Sequence, residues 1–571
     1  MFDLMLKDRL RTVALSAERS KRSVLAGVLT SRLLAWTLAA PRADRLLIVP
    51  QDLRTADPSF WREIEHGQFG LAGSIAFLNA RSPFAIIPPT PAWERELHGF
   101  GWLRHLAAAP DEKARHLARR LATEWAARFD AGERIGAAPA VAAQRLISWI
   151  SHAALLLDGA DAGTYETITS SLGRQLALLS SSRRDAPDGY PRLIALIALV
   201  LVEMSIAGHE RRLNATEAML DAELGRQILP DGGHISRHPG VLVEIMLDLL
   251  PLSQCFVARS RKPPPQLIDA MARILPMLRF LRMGDGMLAR FNGMSTPSAA
   301  GLGTVLAYDD GSAPALQEAR ASGYARLERG KSIVIVDVGV PPPLPVAGEA
   351  QAGCLSFEMS SGAELLLVNG GMPGAAGADW YPAARATASH NTLCLAEKSS
   401  SKLVRHRRLE ELIGAPPIRH PDTVDWRVDE EGGNIVLEAS HDGYHRRFGL
   451  IHTRRLALSS DGNRLVGCDR LDGQRAKVRL RSDLPLAIHF HLHPDVACWL
   501  EAEPNTVALK LPGGERWRFS AYGAALSIEE STFFANSTGP RGAMQIVLRA
   551  ATHGESEVNW VIERASPERA A

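Results

Sequence analysis

The stretch Arg385-Ala386-Thr387-Ala388-Ser389-His390-Asn391-Thr392-Leu393 concentrates more chemistry than any other segment of its length. It places a titratable imidazole, His390, and an amide, Asn391, just ahead of the alternating apolar residues Leu393 and Leu395. The fixed cation of Arg385 stands a short way upstream. An imidazole near a guanidinium suits proton transfer on an acidic substrate. A surface loop entering a strand would use the same residues, so the place of the segment in the whole chain has to decide.

A second group lies upstream. In Leu229-Pro230-Asp231-Gly232-Gly233-His234-Ile235-Ser236-Arg237-His238-Pro239-Gly240, His234 and His238 flank Arg237 on a Gly-rich loop that opens a helix near Gly240. Unpaired amides at a helix N-terminus and a guanidinium together suit a carboxylate. The competing explanation is an arginine that caps a neighbouring helix. Tyr190 precedes Pro191, which fits the first turn of another helix; it can supply a phenol to a site or simply pack at a hairpin corner.

Other patterns are weaker. His489, His491 and His493 alternate, so they share one face of a strand, with Phe490 and Leu492 on the other. Such spacing can ligate zinc, but no acidic partner is evident and a polar sheet face explains it. His441 and His452 sit on strands that could meet. Arg405-His406-Arg407-Arg408 could grip a polyanion, or be a solvated loop. Gly301-Leu302-Gly303 lacks a third glycine and a preceding strand, so it is no dinucleotide fingerprint.

The elements that must hold these residues follow from composition and period. The chain has 571 residues, enough for more than one full core, and its 65 basic and 63 acidic residues nearly cancel. No global field favours nucleic acid, and any hold on a polyanion must be local. The 5 cysteines are scattered with no C-x-x-C pair, which suits buried thiols better than a disulfide framework. Near the N-terminus, Lys7, Arg9, Arg11, Arg19, Lys21 and Arg22 precede the apolar run 23–29. That basic stretch is longer than an export leader's and Arg32 interrupts the apolar part, so the region reads equally as an amphipathic helix. No stretch reaches about 18 uninterrupted apolar residues, so no transmembrane segment is expected.

Before about residue 320, apolar residues recur at helical spacing. Leu103, Leu106, Leu117, Leu121, Trp125 and Phe129 trace one face, and further helices are expected at 136–157, 164–181, 191–208, 213–228, 240–259 and 266–282. Short breaks between them imply successive antiparallel hairpins. After residue 325 the period drops to two, in 332–338, 364–368, 434–438 and 543–548, with turn signals at Asp442-Gly443, Asp461-Gly462-Asn463 and Asp472-Gly473. Strands without intervening helices imply an antiparallel sandwich. The Pro341–Pro345 run is a stiff loop inside the second half, and the boundary falls between Gly311 and Tyr324. The expected domains are a helical or mixed segment over 1–90, a helical domain over 91–315 and a β domain over 325–565.

This order, with R-x-T-x-S-H-N-T-L at the entry to the β half, resembles the heparinase II/III family. The likeness spans most of the chain. Ala92–Leu103 is similar to the family's entry into its helical domain and Leu229–His234 to a loop between its helices. His441-Asp442-Gly443-Tyr444, His452-Thr453-Arg454-Arg455 and 489–494 are similar to its β-domain strands. The resemblance implies an incomplete (α/α) toroid joined to an antiparallel β-sandwich, an α+β multidomain chain with a polysaccharide cleft between the parts. It also implies a carbon–oxygen lyase that cuts uronate-containing glycans by β-elimination and needs no metal or organic cofactor. Such a reaction neutralises the uronate carboxylate, removes the C5 proton and protonates O4.

Carried onto this chain, His390 matches the family's β-domain histidine, and Arg385 and Asn391 flank it. The helical half departs from the pattern: Ile235–Val241 carries neither the acid nor the tyrosine that relatives place after the D-G-G loop. The expected catalytic set is therefore His390, Tyr190 and His234, with Asn391, Arg385, Arg237 and His238 holding substrate and no metal. The expected partner is an acidic polysaccharide or oligosaccharide, with no nucleic acid. The resemblance implies the cell envelope or periplasm; without a clear leader, the cytoplasm is the alternative. The rival functions are a non-catalytic glycan-binding or envelope protein of the same fold, and a glycoside hydrolase. The latter would need two carboxylates facing across a cleft, and the sequence shows only adjacent acids, Asp309-Asp310 and Glu410-Glu411.

Overall fold

The computed structural model describes residues 13, 17, 45–109, 111–130, 136–296, 299–404, 415–473, 483–552 and 556–565. The basic N-terminal run and Arg405–Arg408 lie outside the described residues, as does the pair Glu410-Glu411.

Helices of the first half alternate between an inner and an outer layer. Pro91–Gly99, Pro139–Ser151, Tyr190–Ser205 and Pro239–Ala258 pack in succession as the inner layer, while Glu112–Asp130 lies on Ala162–Ser182 and Glu210–Gln227 on Pro265–Phe280 outside them. Residue pattern explains the sorting. Leu193 through Ser205 is buried at every position of its helix, so that helix has no solvent face. Glu210–Gln227 buries only Leu213, Thr216, Leu220, Leu224 and Gln227, one stripe at helical spacing. Each inner helix has a proline at its first or second position, where the missing N–H costs nothing. This is the expected incomplete toroid. One helix, Pro239–Ala258, is long and apolar enough to cross a membrane, and 67% of its apolar window is buried in the molecule.

The single face expected over Leu103–Phe129 is instead two helices, Leu103–Ala107 and Glu112–Asp130. Asp111 starts the second one by accepting from Lys113 N at 2.8 Å, and hydrophobic period alone does not register such a cap.

The second half is antiparallel throughout its described pairings. An eight-stranded sheet runs in the order Val424–Glu431, Asn434–His441, Leu450–Leu458, Arg464–Gly473, Ser556–Arg564, Arg516–Tyr522, Thr506–Lys510 and Ala497–Leu500. A four-stranded sheet joins Ala525–Phe533, Arg541–Thr552, Leu484–His491 and Leu393–Leu395, and another joins Tyr324–Arg329, Ser332–Asp337, Phe357–Ser361 and Glu364–Leu367. Their inner faces share one core. Trp560 stacks on Phe357 with centroids 5.7 Å apart and meets Phe490 edge-on at 4.9 Å, so each sheet contributes to one aromatic cluster. Asp472-Gly473, read as a hairpin turn, instead ends a strand: Gly473 pairs with Leu450.

Within this core, His441 and His452 are direct cross-strand partners. His452 Nε2 lies 2.8 Å from Asp469 Oδ1, and Arg454 clasps both oxygens of the same carboxylate at 2.8 and 3.0 Å. Burial pushes Asp469 up, but Arg454 and His452 more than offset it and hold the carboxyl well below its usual range. Arg454 also donates to Leu355 O and Asn391 O at 2.7 and 2.6 Å, tying the His390 segment to the sandwich.

Buried ionic contacts join the halves. The Arg237 guanidinium donates to Ser322 O (2.7 Å), Gly339 O (3.1 Å), Val340 O (3.0 Å) and Gly323 O (2.8 Å), and pairs with Asp337 at 2.5 Å. Nearby, Arg290 NH1 lies 3.6 Å from the buried Glu358. Such pairs hold a fixed geometry because loss of one partner strands a buried charge.

Candidate functional site

The D-G-G loop is shaped by close approach. Gly232 has φ +88, and a Cβ there would lie 2.0 Å from Arg273 O; one at Gly233 would lie 1.8 Å from Ser322 Oγ. Asp231 accepts from Ser322 N at 2.7 Å and from Ser322 Oγ at 2.6 Å, docking the loop onto the connection between the halves. The chain then enters the Pro239–Ala258 helix, where His238 Nδ1 caps Gly240 N at 3.0 Å. The neutral ring therefore carries its proton on Nε2, which faces Glu349 of the β half at 3.7 Å.

His234 is held from both sides. Gln227 Nε2 donates to Gly189 O at 2.9 Å, which turns its carbonyl Oε1 to His234 Nε2 at 2.8 Å. Nε2 must then carry the proton, and Nδ1 accepts from Ser236 N at 3.1 Å and faces Ser236 Oγ at 2.7 Å. Burial, with His238 adding to it, pushes this imidazole down to about 3. His234 is a neutral brace that positions the loop.

Tyr190 rises from the adjoining loop at the start of its helix. Its hydroxyl donates to Asp248 Oδ2 at 2.8 Å. Arg54, from the extended N-terminal segment, holds Asp248 Oδ1 at 2.8 Å and Glu244 Oε2 at 2.9 Å. Burial raises both the Asp248 carboxyl and the Tyr190 phenol, and the neighbouring Asp248 carboxylate adds to the rise at Tyr190. At rest the phenol keeps its proton and points it at a buried carboxylate.

A cleft of about 590 Å³ lies between the halves beside Tyr190, His234 and His238, with Asp248 and Arg54 outside its lining. Tyr190, His234, Ser236, His238 and Glu244 come from the helical side, and Pro345, Val346, Gly348 and Glu349 from the β side. Tyr190, His234 and His238, singled out from the sequence, thus meet on one surface.

Arg237, Arg385, His390 and Asn391 do not line that cleft. Arg385 donates from Nε and a terminal nitrogen to Ala350 O, at 2.8 and 2.6 Å. Asn391 donates to Phe357 O at 2.8 Å and accepts from His491 N at 2.5 Å, so its amide bridges strands. His390 is 1% exposed; Nδ1 lies 2.8 Å from Ala386 O, while Nε2 is buried without a partner. Gly353 packs on its ring so tightly that a Cβ would lie 2.6 Å from His390 Cδ2. Burial pushes its imidazole down to about 4.

His489 and His491 stack with centroids 5.9 Å apart and bond to Gln545, Ser531 and Ala388 O. No group of three or more His, Cys, Asp or Glu among the described residues is placed to hold a metal ion. All five cysteines are free thiols.

Sequence reasoning missed Asp248, Glu244, Arg54 and Glu349. A signal existed for the first two: they are acids four residues apart in the otherwise apolar run Val241–Leu252, and a charge there needs a partner. Nothing local marks Arg54, 194 residues from the carboxylate that it holds.

Residues 312–561 match the model of the "Heparinase II/III-like, C-terminal" family. The chain is 30% identical over 538 residues to "FtsZ-localized protein C" of Caulobacter vibrioides (strain NA1000 / CB15N), covering 92% of each. In fold it is similar to heparinase III, with a TM-score of 0.71 at 12% identity over 93% of this chain and 89% of that one. It is also similar to a mutant of the heparan sulfate lyase HepC from Pedobacter heparinus, with a TM-score of 0.62 at 14% identity over 97% and 90% of the two chains. At these identities the structural likeness is one of fold, while the relative and the family model place the sequence. The chain belongs to the heparinase II/III-like family.

Proposed function

We propose that this protein is a polysaccharide lyase that cleaves a uronate-containing glycan by β-elimination in the cleft between toroid and sandwich. The observation that carries the reading is that Tyr190, which lines the cleft, donates from its hydroxyl at 2.8 Å to Asp248, a carboxylate buried behind the lining. As Tyr190 Oη takes the C5 proton, its own proton passes to Asp248 Oδ2. The C4–O4 bond then breaks and leaves a C4–C5 double bond. Reversing the relay returns a proton to the departing O4, so one hydroxyl serves both steps. Burial that raises Asp248 makes it a better acceptor for this shuttle. In this reading Tyr190 is the catalytic residue, His238 faces substrate and His234 positions the loop. Arg237, Arg385 and Asn391 support the β wall. His390 takes part only if the Gly353 backbone lifts from its ring.

A second reading, a glycan-binding protein without turnover, is favoured by the sealed His390 and by the guanidiniums of Arg237 and Arg385, whose bonds run to backbone carbonyls and Asp337. Incubating the purified protein with uronate glycans decides between them. The lyase yields unsaturated ends that absorb in the ultraviolet; binding without them supports the second reading. New reducing ends formed with no unsaturated product would instead indicate hydrolysis, with Glu244 and Glu349 as carboxylates from the two walls.

The named association of the relative with FtsZ supports a proposed placement of this chain alongside FtsZ in the cell. Imaging a tagged copy with labelled FtsZ tests it, and a distribution independent of FtsZ rejects it.

A further inference from the structure

We infer that the glycan taken by this cleft carries free amino groups beside its carboxylates, making it a zwitterionic chain in place of a polyanion. The inference rests on the reading of the cleft as a glycan site and concerns which glycan it accepts. Three carboxylate residues line the cleft, Asp188, Glu244 and Glu349, and among the described residues no lysine or arginine does.

The guanidiniums closest to these acids are already engaged. Arg226 and Arg192 both pair with Asp188. Arg54 lies between Asp248 and Glu244, a trio with one carboxylate in excess of its cation. Glu349 brings a further carboxylate from the β wall; its side chain is 69% exposed and stands 3.7 Å from His238 Nε2. His234 offers no charge, because its Nδ1 accepts from Ser236 N and its one N–H is given to Gln227.

Charge on the incoming chain must complement this lining. The screening length of about 8 Å at physiological salt is comparable with the reach across such a cleft, so a sulfate on each sugar would meet the lining carboxylates incompletely screened. An ammonium on a 2-amino sugar supplies three compact donors to the same oxygens. Val241, Val243, Leu302 and Val346 add apolar surface on which sugar rings can lie. The uronate next to the amino sugar keeps the C5 proton that β-elimination requires.

The test uses one backbone of alternating glucuronate and glucosamine in three forms: free amine, N-acetylated and N-sulfated hexasaccharides. Binding to the full-length protein is measured by calorimetry at low and high salt. The expected order is free amine, then N-acetyl, then N-sulfo, with steps of about tenfold that shrink as salt is raised. Glu349→Gln and Glu244→Gln should each weaken the free-amine form selectively, with circular dichroism reporting an unchanged fold. Tightest binding of the N-sulfated form, equal binding of all three, or binding of none overturns the inference.

The same incubations separate this inference from the lyase reading. The expected binding order without unsaturated product from any member rejects the lyase and leaves the amine preference standing. Unsaturated product from the N-sulfated form, with none from the free amine, does the reverse.

Discussion

The Tyr190 hydroxyl donates to Asp248 Oδ2 at 2.8 Å, and Asp248 is itself held by Arg54, 194 residues earlier in the chain. A phenol backed by a buried carboxylate can exchange a proton with a bound ring and recover it. Tyr190→Phe removes only the oxygen. On the proposed chemistry, turnover of a productive glycan should fall by about a hundredfold or more. The fold should survive a loss of about 1–3 kcal/mol from the stranded Asp248 oxygen. Wild-type turnover by Tyr190→Phe would remove Tyr190 from the mechanism.

His390 and Gly353 supply a test of the sealed β-domain histidine. Gly353→Ala puts a methyl 2.6 Å from the His390 ring, and it should destabilise by about 1–3 kcal/mol in urea melts, as overpacked cores do. His390→Ala should leave most glycan turnover intact if the chemistry lies in the cleft. Abolished turnover with an unchanged melting curve would instead bring His390 into the reaction.

The Arg237–Asp337 pair should dominate the junction energetically. Arg237→Ala leaves Asp337 buried without its cation and should cost about 3–5 kcal/mol. Arg261→Ala breaks the more exposed pair with Glu217 and should cost at most about 1 kcal/mol. Equal shifts of the denaturation midpoint in the two variants would contradict the assignment of Arg237 as the buried clasp.

Stability should fall as pH drops through the histidine range. His390 is pushed down to about 4, and His234 and His491 to about 3, from an ordinary value of 6.5. These rings are neutral in the fold, but the unfolded chain protonates them below about 6.5. In the window from about 6.5 to 4 the unfolded state binds more protons, so unfolding free energy rises with pH there and is lost on acidification. Each ring contributes a slope of up to about 1.4 kcal/mol per pH unit. His390→Gln should reduce the slope measured by urea melts between pH 6 and 4.5. An unchanged slope would mean that His390 is protonated in the fold.

Helix and strand placement was legible because burial imposes a period on the sequence. The all-apolar run 193–202 could only be an inner helix, and the alternation of 434–441 could only be a half-buried strand. The D-G-G loop was legible for a related reason: glycines 232 and 233 mark backbone approaches that exclude a Cβ. His390 was harder. A histidine before a strand has the same local sequence whether its ring opens to a cleft or closes under a glycine 37 positions upstream, and only Gly353 packed on the ring separates the two.

The sequence by itself determined the two-part architecture, which follows from period and turn residues, and pointed to the family through the resemblance of its motifs and their order. Tertiary structure alone decided which charged groups face one another. Arg54 reaches Asp248 across 194 positions and Arg237 reaches Asp337 across 100. Electrostatic and hydrogen-bond partners depend on distances in space, and nothing in local composition encodes them. For that reason the residues that could do chemistry could be named from the sequence, while the cleft that gathers Tyr190 and His238 and leaves His390 beneath the surface came only from the fold.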